Sequence, residues 1–183
     1  MAIISGIVYC CRYIKNEWFC TSGLQLPSLH EGVTIFLSAS IGIGTITYLA
    51  MEFSVPVLVA SFGASACIIF CVPAAPFAQP RSVIGGHTIA ATVGIIMYVV
   101  LGSTWYAAAF SVGGAIVAML YSRTLHPPAA ATALIAVVTG QSVWYPLCPV
   151  ALGSTILVLV GKMLNRLMPK LMGTIVFPRK ACE

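Results

Sequence analysis

Two short stretches hold most of the side chains able to do chemistry in an otherwise apolar chain. Arg81 stands six residues before His87 in Gln79-Pro80-Arg81-Ser82-Val83-Ile84-Gly85-Gly86-His87, and Arg123 stands three before His126 in Ser122-Arg123-Thr124-Leu125-His126-Pro127-Pro128. Each passes from a proline-marked or loop region into a run rich in Ala and Thr, Thr88-Ile89-Ala90-Ala91-Thr92 and Ala129-Ala130-Ala131-Thr132-Ala133. This is a weak internal repeat of arginine, histidine and helix start. A helix N-terminus offers free amides and about half a positive charge, and transporters place paired broken helices in corresponding positions. The pattern therefore predicts a site for a small anion between the two stretches. Its candidate residues are Arg81, His87, Arg123 and His126, the amides of Gly85 and Gly86, and the hydroxyls of Ser61, Ser65, Thr88, Thr92 and Thr132. Each has a plainer reading. The arginines serve equally as topology anchors, the histidines as groups satisfied by backbone carbonyls, and the small hydroxyl residues as packing surfaces. Pro127 and Pro128 offer no amide.

The missing residue types are informative as well. The chain has no Asp, and its four Glu (Glu17, Glu31, Glu52 and Glu183) fall outside the apolar segments. Cation carriers and proton relays usually place a carboxylate at membrane depth, so a cation pathway is disfavoured. Three His with no HxxxH spacing, of which only His30 has a carboxylate nearby (Glu31), make a poor metal site. The expectation is a protein that is not an enzyme and uses neither metal nor cofactor. Of the seven cysteines, Cys10, Cys11 and Cys182 fall on the expected cytoplasmic side, and Cys67 and Cys71 are expected to pack as small apolar groups. The formal charge of +5 is spread over loops and ends with no basic motif, which argues against nucleic acid and for contacts with membrane lipid.

What must position these residues is a membrane bundle. Of 183 residues 60% are hydrophobic and 7% charged, and the mean hydropathy is +1.01, too apolar for a soluble surface. Six apolar segments are expected: Val33 to Ala50, Val55 to Val72, about Ile84 to Leu101, about Trp105 to Tyr121, Pro128 to Val138, and Pro146 to about Leu167. If all six cross, the nine basic residues (Arg12, Lys15, Arg81, Arg123, Lys162, Arg166, Lys170, Arg179 and Lys180) share one side, which is then cytoplasmic and holds both termini. The fifth segment, 11 residues long, is a half-helix or a tilted helix in a thinned region. The predicted organisation is all-α: an interfacial or tail segment over 1–30, a transmembrane domain over 31–168 and a cytoplasmic tail over 169–183. The predicted setting is a bacterial inner membrane. Small-residue pairs such as Ser38 and Gly42 or Ser40 and Gly44 predict close helix packing, and glycine-rich faces allow a homo-oligomer.

The stretch His126-Pro127-Pro128-Ala129-Ala130-Ala131-Thr132-Ala133 resembles the signature of the HPP family of integral membrane proteins. Phe62-Gly63-Ala64-Ser65-Ala66, Ala78-Gln79-Pro80-Arg81 and Gly85-Gly86-His87 resemble further blocks of that family, in order, over roughly Leu29 to Leu167. The resemblance implies four spanning helices where the charge pattern implies six crossings. It also implies a permease for nitrite or a similar small monovalent anion, since members from cyanobacteria and chloroplasts are associated with nitrite transport. An anion entering a cell works against the potential at about 2.3 kcal/mol per 100 mV. Uptake then needs a gradient or a coupled proton, for which His87 or His126 is the carrier expected from its titration near neutral pH. The alternative reading is a structural or regulatory membrane subunit with no substrate.

Overall fold

The computed structural model describes residues 28–54 and 59–167. The expected N-terminal interfacial segment and the C-terminal tail lie largely outside these residues. Among the described residues six α-helices follow one another: α1 (Leu29–Glu52), α2 (Phe62–Cys71), α3 (Pro80–Leu101), α4 (Trp105–Tyr121), α5 (Ala129–Val138) and α6 (Leu152–Leu167). A 3-10 turn over Pro76–Ala78 leads into α3, and a kinked segment over Pro146–Ala151 leads into α6. There is no strand among the described residues.

Among the described residues three stretches are long and apolar enough to cross a membrane: α1, α3 and Pro146–Leu167, the last kinked at Cys148, whose backbone is extended (φ −138°, ψ 118°). Helix α4, with 17 residues, stands at the lower limit of about 17 for a span. Helices α2 and α5 have 10 residues each, about 15 Å, half of what a bilayer core requires. Among the described residues, α1, α3, α4 and the kinked Pro146–Leu167 segment match the four spans implied by the resemblance, and with the two half-helices they make the six segments read from the charges.

Local chemistry sets the helix boundaries. Helix α1 starts at Leu29, earlier than the expected Val33, because Ser28 and Glu31 form a capping box: the Glu31 amide donates to Ser28 Oγ (3.3 Å) and the Ser28 amide to Glu31 Oε2 (2.7 Å). The Ser-x-x-Glu spacing was visible in the sequence. Replacing Ser28 with alanine is expected to cost about 1 kcal/mol, read as a small drop in the melting temperature of the detergent-solubilised protein. Helix α3 starts at Pro80, not near Ile84, because proline at the first helical position has a preset φ and no amide to leave unpaired. The second segment is corrected most. Of the span expected over Val55 to Val72 the structure describes residues 59–72, and of these the helix takes Phe62 to Cys71. Ahead of it the chain turns, with the Phe62 amide on the Val59 carbonyl at 2.9 Å. Hydropathy alone does not distinguish a buried apolar turn from a helix.

The packing gives the direction of each element. Helices α3 and α5 run parallel: Gly86 lies against Thr124 and His126, Gly94 against Ala133 and Ala136, and Gly140 against Tyr98. Helix α4 runs opposite to α3, with Gly114 beside Val93 and Met119 beside Gly86. The seam between α3 and α5 consists of small residues, with Ala90, Ala91, Ala129, Ala133 and Ala136 all at 0% exposure, so the two backbones approach closely. On α1, Ser38 and Gly42 are buried, and Gly42 meets Phe70 and Leu157. Ser40 and Gly44, the other expected pair, face outward. Cys67 is exposed instead of packed.

The outer surface is apolar, with Phe36, Val99, Val100 and Leu159 among its exposed residues. Trp105 and Tyr106, which open α4, and Trp144, which follows α5, form an exposed aromatic group at one end. The basic residues gather at the other end. Arg81 Nη2 donates to the Ser122 carbonyl, one residue before Arg123, at 3.2 Å. Lys162 and Arg166 line a cavity of about 240 Å³ beside Pro73, Gln79 and Pro80. All four described Lys and Arg residues therefore share one end of the bundle.

Candidate functional site: a buried histidine pair between two half-helices

The two half-helices meet inside the bundle. Helix α2 begins at Phe62 and runs toward the basic end, while α5 begins at Ala129 and runs away from it. Their N-terminal portions pass antiparallel. Ser61, capping α2, bonds Thr132 in the first turn of α5 (Oγ to Oγ1, 2.7 Å), and Ser65, one turn on, bonds His126 just before α5 (Oγ to Nε2, 2.9 Å). Helix α3 passes alongside and contributes His87, whose Nε2 lies 2.7 Å from Ser65 Oγ and whose Nδ1 lies 2.8 Å from Thr132 Oγ1. His87 is seven residues into α3, about 10 Å from its basic end.

The cluster is sealed. Ser65, His87, His126 and Thr132 are at 0% exposure and Ser61 at 5%. The imidazoles face each other with centroids 5.0 Å apart, and the Phe62 ring stands edge-on to His87 at 5.1 Å. On the far side of His126, Nδ1 lies 2.7 Å from the Phe77 carbonyl oxygen.

That carbonyl sets the protons. It can only accept, so His126 Nδ1 carries a hydrogen, and in the neutral ring Nε2 is then an acceptor. Ser65 donates to it. His87 Nε2 accordingly donates to Ser65 Oγ, and its Nδ1 accepts from Thr132, whose oxygen accepts from Ser61. Every member of this chain is satisfied with both histidines neutral, as a sealed polar network requires.

Five of the residues expected from the sequence (Ser61, Ser65, His87, His126 and Thr132) thus come together, while the others do not. Arg81 and Arg123 are exposed at the basic end, and Arg81 tethers the α4 terminus. The expected unit of arginine plus histidine is therefore split across the surface and the interior. Gly85 and Gly86 lie in the second turn of α3, where amides bond to carbonyls four residues back; they are not the open amides expected. Gly86 serves instead for close approach, since a Cβ there would lie 2.8 Å from the Thr124 carbonyl and 2.9 Å from His126 Cβ. Thr88 and Thr92 donate to the carbonyls of Ile84 and Thr88, both at 2.8 Å, and Thr92 is exposed. Of the motif His126-Pro127-Pro128, the histidine joins the cluster and the prolines lead into α5. The Phe77 carbonyl and the Phe62 ring were not anticipated, and no pattern in the sequence marks a main-chain acceptor. The cavity at the basic end includes neither buried histidine.

Bundle, apolar surface and buried polar cluster together define an integral membrane protein built of helices. A family model described as "HPP, transmembrane region" matches residues 24–172, and the chain belongs to that family. It is similar to two proteins of Dictyostelium discoideum, each described simply as a transmembrane protein. One is 39% identical over 178 residues, covering 89% of this chain and 56% of the relative. The other is 34% identical over 173 residues, covering 86% and 60%. The chain thus spans a little over half the length of these relatives. No solved structure matches it.

Proposed function

We propose that the protein is a permease or channel for a small monovalent anion, nitrite or one of similar size, with the histidine cluster as its point of contact. The observation that carries this reading is the meeting of two half-helix N-terminal ends at a donor-rich cluster inside the bundle. In membrane transporters such ends point at anionic groups. Among the described residues no Asp or Glu side chain is bonded to the cluster, so no carboxylate there repels an anion. The reading involves no enzymatic step and no cofactor. Its partners are the anion, membrane lipid and, through small-residue faces, further copies of the chain. The basic end faces the cytoplasm by the positive-inside rule. A bacterial inner membrane was the setting suggested by the sequence; the named relatives are eukaryotic, and the orientation argument applies to either.

A structural or regulatory subunit is the second reading, favoured by one observation: each polar side-chain atom of the cluster already has a partner within the protein. Uptake of nitrite, nitrate and formate into proteoliposomes separates the two. Arg81→Ala should stay within about twofold of wild type, since it loses one exposed hydrogen bond. His126→Ala should fall by about tenfold or more, the equivalent of 1.4 kcal/mol. Equal flux through wild type, Arg81→Ala and His126→Ala removes the cluster from the pathway, and no flux above empty vesicles favours the subunit.

A further inference from the structure

We propose that the anion binds only together with a proton held on His126, so that transport is electrically neutral; this rests on the anion-transport reading above. The proton site follows from the hydrogen bonds. Ser65 Oγ has three neighbours: His87 Nε2 at 2.7 Å, His126 Nε2 at 2.9 Å and the Ser61 carbonyl at 3.2 Å. With His126 neutral, the single Ser65 proton points to His126 Nε2. If His126 Nε2 takes up a proton, the Ser65 hydroxyl rotates to donate to the Ser61 carbonyl. Its two lone pairs then accept from both imidazoles, and the Phe77 carbonyl still accepts from His126 Nδ1. One hydroxyl rotation accommodates one added proton with no donor or acceptor lost. His87 has no such provision, because a proton on its Nδ1 opposes the Thr132 hydroxyl and forces Thr132 and Ser61 to turn as well.

The charge so created has no counter-charge among the described residues. Helix α2 presents Ser61, Phe62 and Ser65 to the pair, α4 presents Met119 at Gly86, α5 presents Thr132, and the turn before α3 presents a carbonyl. Other titratable groups on elements packed near the pair lie elsewhere. Lys162 and Arg166 line the cavity at the basic end, Tyr98 meets Gly140, Tyr145 Oη is buried with no partner, and Cys67 is exposed while Cys71 is half-buried. Glu31 is engaged by Ser28 and Glu52 is exposed. An isolated buried cation is costly, and the anion is the counter-charge this site lacks. Proton and anion therefore enter as a neutral pair. The proton adds to the His126 Nε2 lone pair on binding and leaves with the anion on release.

The test is accumulation of nitrate and nitrite in proteoliposomes of the full chain, with the potential clamped by potassium and valinomycin. Empty vesicles correct for the leak of neutral nitrous acid. At zero potential, an interior one pH unit more alkaline should accumulate the anion about tenfold, as one-for-one coupling to a tenfold proton gradient requires, and an imposed potential should not change that ratio. His126→Gln, which holds no proton, should lose the pH-driven accumulation. If that variant does not fold, the wild-type response to pH and potential still decides. Accumulation that follows the potential and ignores the pH gradient overturns the coupling while leaving anion transport in place. No flux of either anion through folded wild type overturns transport and the coupling with it.

Discussion

Ser65→Ala is expected to destabilise the protein by about 2–6 kcal/mol. The loss strands two buried groups at once, His87 Nε2–H and the His126 Nε2 lone pair, each worth about 1–3 kcal/mol when unpaired. Both lie within 2.9 Å of the single Ser65 oxygen, and both imidazoles are at 0% exposure. The small volume of the lost hydroxyl oxygen is trivial by comparison. Unfolding of the purified protein in mixed micelles, followed by tryptophan fluorescence or by accessibility of Cys71, provides the measurement. Ser61→Ala serves as the comparison: it removes the donor to Thr132 (2.7 Å) at the end of the chain of bonds and should cost only about 1–3 kcal/mol. Equal losses for the two variants would mean that Ser65 does not bridge the histidines.

The second large effect is one of sign. Glycine to alanine in an open helix stabilises by about 1 kcal/mol through propensity. Gly44, on α1, has nothing within 4 Å of its would-be Cβ, so Gly44→Ala should be neutral or stabilising. At Gly94 the same methyl would lie 2.7 Å from the Ala133 carbonyl oxygen and 2.8 Å from Ala136 Cβ. Backbone atoms of α5 cannot swing aside, so Gly94→Ala should destabilise by about 1–3 kcal/mol by pushing α5 off α3. That displacement also separates Thr132 from His87, so the flux through Gly94→Ala should fall with its melting temperature, while Gly44→Ala keeps both. A stabilised Gly94→Ala would contradict the close approach of α3 and α5.

Much of this architecture is legible without coordinates. Apolar runs bounded by Gly102, Arg123 to Pro128 and Gly140 mark helix ends, because turns need glycine's positive φ or proline's missing amide. The one-sided basic residues predicted a common end, and Arg81, Arg123, Lys162 and Arg166 share it. The arginine–histidine repeat singled out His87 and His126, which meet at Ser65 in the folded bundle. It paired each with the wrong neighbour, because proximity in sequence says nothing of depth: six residues of helix are about 9 Å along its axis, enough to separate a surface guanidinium from a buried imidazole. Hydropathy also read 55–72 as one span, although the chain turns at 59–61, since an apolar turn and an apolar helix score alike.

Composition, charge placement and glycine and proline punctuation therefore determined the solvent, the number of segments and the end that carries the positive charge. These are local quantities, summed along the chain. Which hydroxyl meets which imidazole was decided only when α2 and α5 were laid antiparallel against α3, placing Ser61 beside Thr132, 71 residues apart, and Ser65 beside His126, 61 apart. Hydrogen bonds reach about 3 Å, and only the folded chain brings such distant residues that close.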